Sequence, residues 1–156
     1  MPTATFGARR PNAMKRLMQA SVLYLLWSIL ATIIALLYDR PAVFAGTSTG
    51  LPVFQDWLFG MGTAMSPPLG WMLVQAIFIA IAPRPSRWGR LGVAGLTLIG
   101  FTNLIGQLAE PISYEVITPA TFNPILALIV AGMSILPFLM MIFGIQALSA
   151  KRRGIA

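Results

Sequence analysis

The chain has 156 residues, 57% hydrophobic and 10% charged, against about a quarter charged in an ordinary soluble domain. That much apolar surface exceeds what one water-soluble core of this size hides, so lipid is the expected solvent. The absence of cysteine and histidine excludes disulfides, thiolate chemistry and the commonest imidazole ligand for metals and haem.

The net charge of +7 does not mark a nucleic-acid binder. The basic residues form no polar domain. They lie in short clusters at the ends of apolar runs, where they set topology and meet anionic headgroups.

The first apolar run covers 17–38 and holds no charged residue. At ~1.5 Å per residue it is long enough to cross a hydrocarbon core of about 30 Å. Arg9, Arg10, Lys15 and Arg16 precede it, and Asp39, Arg40 and Pro41 close it. Its basic start and the Val43-Phe44-Ala45 triplet resemble a cleaved leader, but the run is too long for a leader's apolar region of roughly 7–15 residues.

The second run is expected over 67–82, with Ser66 as its cap and proline in its first turn. It is short for a full crossing. The apolar stretch 51–65 before it carries Asp56 and two glycines and admits three readings. They are an interfacial helix, half of a proline-broken span and a packed outer loop. The interfacial helix is the favoured one.

The third run covers 91–109, after a turn holding Arg84, Arg87 and Arg90, and ends at Glu110-Pro111. The fourth covers 124–150, capped by Asn123-Pro124. Pro137 inside it is expected to kink the helix and free the carbonyl of Met133, with Ser134 or a neighbouring helix as the replacement donor. Lys151, Arg152 and Arg153 follow.

Basic residues therefore cluster before the first run, between the second and third, and after the fourth, and of the eleven only Arg40 falls on the other side. Asp39, Asp56, Glu110 and Glu115 all share that side with it. The bias of Lys and Arg toward cytoplasmic loops predicts an all-α integral membrane protein with both termini inside. The predicted architecture is one domain, 1–156, with four transmembrane helices in an antiparallel bundle. The bacterial cytoplasmic membrane is the expected location.

Lipid gives helices no hydrophobic reason to associate, so packing faces favour small and weakly polar residues. Ser21, Tyr24, Ser28, Ala31, Thr32, Ala35 and Asp39 form such a face on the first run. Gly92, Gly95, Ile99, Thr102, Asn103, Gly106 and Glu110 form one on the third. Trp71, Gln75 and Phe78 are expected to pack from the second run, and Ala127, Ala131 and Ser134 from the fourth.

Candidate ligand-binding residues lie at the outer ends of these faces. If the first and third helices are neighbours, Asp39 and Glu110 meet, with Arg40, Thr32, Asn103 and Gln107 close by. Such a group suits a cation, a lipid headgroup or a polar substrate. The plainer reading leaves both acids in water, with Arg40 pairing loosely. Gln75 and Asn103 are the most polar groups at depth, and bridging between helices is their ordinary role.

No Asp, Glu, Lys, Arg or His lies inside the predicted spans, which argues against proton-coupled transport. No catalytic, metal-binding or phosphate-binding motif is present. No metal or cofactor is expected, although a pigment held by Asn or Gln stays open. The nine methionines read as adaptable apolar filler.

The expected function is therefore non-catalytic: an accessory subunit of a membrane complex, or a binder of lipid or another hydrophobic ligand. The alternatives are a small oligomeric transporter or channel, and a membrane enzyme acting on lipid at the outer face. Expected partners are the lipid bilayer and other membrane subunits or further copies of this chain, with no nucleic acid.

Overall fold

The computed structural model describes residues 10–44 and 46–152. Arg9 and Arg153, which contribute to the predicted orientation, and Ala45 of the leader-like triplet lie outside the described residues. The described residues form six helices and no strand: α1 (Arg10–Leu37), α2 (Val53–Phe59), α3 (Leu69–Ile81), α4 (Arg87–Ala109), α5 (Ile112–Glu115) and α6 (Pro124–Arg152).

Three helical stretches, Asn12–Leu37, Arg87–Ala109 and Pro124–Ser149, are long and apolar enough to cross a membrane. The 13 residues of α3 reach only roughly 20 Å.

Helix α6 packs against both α1 and α4, and α3 packs against α4 and α1. Contact positions fall along one helix as they rise along its neighbour. On α1, Arg16 lies over the ring of Phe143 at 5.9 Å, and the indole Nε1 of Trp27 donates to the carbonyl of Ile129 at 3.0 Å. Trp27 thus faces a partner helix. Between α3 and α4, Gly92 sits beside Ala82, and Gly95 beside the ring of Phe78.

Small residues set these approaches, as expected for helices in lipid. Ser21, Tyr24, Ser28, Ala31, Thr32 and Ala35 are buried on α1, while Leu23, Leu26, Leu30, Ile33 and Leu37 are exposed on its far side. Asp39 departs from this face. It is exposed and takes a left-handed backbone with φ of 48° just past the helix end.

The packing face of α6 differs from the expected one. Leu126, Ile129, Val130, Met133, Pro137 and Met140 are buried, Ala131 is exposed, and Ala127 and Ser134 are half-buried. The reason is complementarity. At Gly100 of α4 it is α6 that supplies the bulk, while Gly132 and Gly144 of α6 receive Trp27 of α1 and Thr97 of α4. Gly100 shows the fit, with the Pro137 carbonyl and the Met140 side chain directly over its Cα.

Two local expectations also change. Ser134 Oγ donates to the Val130 carbonyl at 2.9 Å, a turn back, and leaves the Met133 carbonyl to other donors. Ser66 does not cap α3. Its hydroxyl is drawn into the loop below, and Pro68 occupies the cap position. Asn123 does cap α6, its Oδ1 accepting from the Ile125 and Leu126 amides at 3.0 and 3.3 Å.

The stretch 51–65 is only briefly helical. Helix α2 has seven residues, and a packed loop runs from 60 to 68. Asp56, fully buried, organises the break. Its carbonyl accepts from Gly60 and Gly62 at 2.8 and 3.1 Å, and its Oδ1 accepts from the Met61 amide at 2.8 Å. Gly62 has a φ of 102°, which a side chain would strain. These local bonds end the helix earlier than apolar content alone suggests.

Candidate functional site

The loop ends in a tight turn. The Thr63 amide donates to the Ser66 carbonyl at 2.9 Å, and the Ala64 amide to the Arg40 carbonyl at 3.2 Å. Thr63, Ala64, Met65 and Ser66 are all buried. The Ser66 hydroxyl bonds with Thr32 of α1 at 2.8 Å and with Thr63 at 2.9 Å. Thr32 also donates to the Ser28 carbonyl at 2.9 Å. A chain of hydroxyls therefore fastens the loop to α1.

The seated loop leaves a cavity of about 400 Å³ between itself, α1, α4, α6 and the start of α3. Tyr24, Phe44, Met61, Ala64, Pro67, Pro68, Trp71 and Met133 give it a largely apolar lining. Its polar wall is one face of α4 and the residue after it, with Thr102, Asn103, Gln107 and Glu110. The last three recur at helical spacing, so one strip of helix presents them all. Gly106 lies within that strip, and a Cβ added there would meet nothing within 4 Å.

Thr102 Oγ1 donates back to the Leu98 carbonyl at 3.0 Å, within its own helix. Trp71 Nε1 donates to Asn103 Oδ1 at 2.8 Å. An indole only donates, so the amide orientation is forced and Nδ2 is left a buried donor with no partner. Gln107 Nε2 donates to Ser113 Oγ at 2.9 Å, which ties α4 to the short α5. Glu110 is 7% exposed, and its Oε2 accepts from the Val43 amide at 3.0 Å. Burial raises the Glu110 pKa to about 7; the Val43 amide pulls it down, and the nearby charge of Asp56 pushes it further up.

The sequence-predicted residues divide accordingly. Asn103, Gln107 and Glu110 line the cavity. Thr32 stands one layer behind it, bonded to the lining residue Ser66. Gln75 is farther down, fully buried, with Nε2 donating to the Ser21 carbonyl at 2.9 Å and Oε1 unpaired. That is the interhelical bridge expected of an amide at depth.

Asp39 does not join the group. Its chain position at an exposed left-handed turn keeps it off the lining. Arg40 is also directed elsewhere, with Nη1 on Glu115 Oε2 at 3.2 Å. The acid whose charge reaches Glu110 is Asp56. The pattern of Asp56 followed by Gly60 and Gly62 in an apolar stretch was the available signal for it. Tyr24, Met133 and Ser66 carried no signal as cavity residues, because only the loop's path makes them lining. No trio of acidic residues arranged to hold a metal ion exists among the described residues.

Comparison with protein-family models, with curated proteins and with solved structures finds no match, so geometry alone carries the functional reading.

Proposed function

We propose that this chain is a four-crossing membrane protein, both termini cytoplasmic, that binds a small amphiphilic or hydrophobic molecule in the cavity beneath the 60–68 loop. The antiparallel bundle is favoured by the contacts of α1 with α6, α6 with α4, α4 with α3 and α3 with α1. The short α3 fits this reading because the loop before it supplies the remaining depth. Non-helical backbone is tolerated inside a membrane where it is buried in protein, and residues 62–66 are buried and bonded among themselves and to α1. The exposed Arg84, Arg87 and Arg90 at the opposite end suit a cytoplasmic face.

The observation that carries the binding reading is the cavity's composition. An apolar volume of about 400 Å³ with a few convergent polar groups is the form small-molecule sites take.

Titration with a terminally brominated undecanol tests this, since bromine quenches a touching indole. The Trp71 signal, taken as the difference between wild type and Trp71→Phe, is expected to be quenched saturably. Gly106→Leu, which fills the open space at that position, is expected to remove the saturable part. Linear, unsaturable quenching equal in both proteins contradicts the reading.

A further inference from the structure

Beyond the presence of a guest, the lining specifies its headgroup. We propose that the cavity takes a single-chain amphiphile with an ammonium headgroup, its nitrogen at Glu110 and its chain between Tyr24, Trp71 and Met133. This rests on the binding reading above.

Charge complementarity is the first argument. Glu110 is the one charged residue type on the lining, and neither Lys nor Arg is among the lining residues. Glu110 is buried and keeps one oxygen, Oε1, without a hydrogen bond among the described residues, while Oε2 is held by Val43. Asp56, fully buried behind it, adds negative potential and has its own Oδ2 unpaired. Arg40, the basic residue nearest in sequence to this end, is committed to Glu115. A buried acid without a counter-charge is costly when ionised, and an incoming cation removes that cost.

Shape is the second argument. Glu110 sits just past the end of α4, while Tyr24, Trp71 and Met133 belong to the helices that line the rest of the cavity, so a guest's polar end and its chain have separate places. Asn103 stands two turns below Glu110 on the same face, roughly 10 Å along the axis.

The anionic alternative fails on the same residues. A fatty carboxylate placed here would face Glu110 and Asp56 with no cation to offset them. A neutral alcohol would fill the apolar part and donate one hydrogen bond to Glu110, but it carries no charge to offset the acids.

The test compares octylamine, octanol and octanoate on the whole protein in nanodiscs of neutral lipid. Ligand at free concentration L that binds only the folded state stabilises it by RT ln(1 + L/Kd), so the rise in melting temperature with probe concentration yields an apparent Kd for each probe. The amine is expected to bind at least tenfold more tightly than octanol, with octanoate weakest. Glu110→Gln is expected to abolish the amine's advantage and leave octanol unchanged. If that variant does not fold, Gly106→Leu, at a position with open space, is expected to abolish saturable amine binding. Equal affinities for amine and octanol, both blocked by Gly106→Leu, overturn the headgroup assignment and leave the binding reading standing. An amine preference that persists in Glu110→Gln overturns the assignment to that carboxylate. Absence of saturable binding by all three probes overturns both.

Discussion

Glu110 and Val43, 67 residues apart, are joined by a hydrogen bond of 3.0 Å from the Val43 amide to Glu110 Oε2. The bond fastens the segment that follows α1 to the end of α4. It also holds the carboxylate on the cavity's lining, so the packing at this end of α4 and the polarity of the cavity depend on one residue.

That residue makes stability depend on pH. In an unfolded chain Glu110 titrates near its ordinary value of 4.5, and in the folded protein near 7. Below the lower value it is protonated in both states and costs nothing. Between the two, the folded state holds a proton that the unfolded state has released, so stability falls as pH rises through this window. The chain has no histidine to titrate in the same range. The melting temperature in detergent is expected to drop from pH 5 to pH 8, and Glu110→Gln to flatten the drop. A rise with pH in wild type would reverse the sign and refute the assignment.

The Thr32 and Ser66 hydroxyls, 2.8 Å apart, seat the loop. Thr32→Val and Ser66→Ala are each expected to cost about 0.5–1.5 kcal/mol, the net worth of a hydrogen bond. The double variant should cost less than the sum, because the pair is shared. Hydrogen exchange at Ala64 and Met65 should quicken in both. Additive costs with unchanged exchange would mean the loop is held by its apolar contacts alone.

Two glycines of α4 should respond in opposite ways to added bulk. At Gly100 a new methyl meets the Pro137 carbonyl at 2.7 Å, with Met140 Cβ at 3.0 Å. Gly100→Ala is expected to destabilise by about 1–3 kcal/mol, the usual cost of overpacking. At Gly106 nothing lies within 4 Å, and alanine should gain up to about 1 kcal/mol of helix propensity. Thermal melts of the two variants check this, and equal effects would contradict the packing described.

Much of the helical layout was legible because long apolar runs and proline-marked ends are strong local signals. The runs expected over 17–38, 67–82, 91–109 and 124–150 lie close to α1, α3, α4 and α6. The small face of α1 was legible for the same reason, since helical spacing fixes which residues align. The face of α6 was not, because complementarity with its neighbours decides it. The site was half legible. Asn103, Gln107 and Glu110 share a helix face that periodicity reveals. The displacement of Asp39 depends on a left-handed turn at one residue, and the role of Asp56 depends on how a loop folds back. Neither has a periodic signature.

If the cavity holds a guest, mass spectrometry of the protein taken from its native membrane detects it. Wild type and Gly106→Leu would be purified side by side and their retained small molecules compared. The account predicts a discrete amphiphile, stoichiometric with wild type and depleted in Gly106→Leu. The same set of adducts at the same occupancy on both proteins would contradict it.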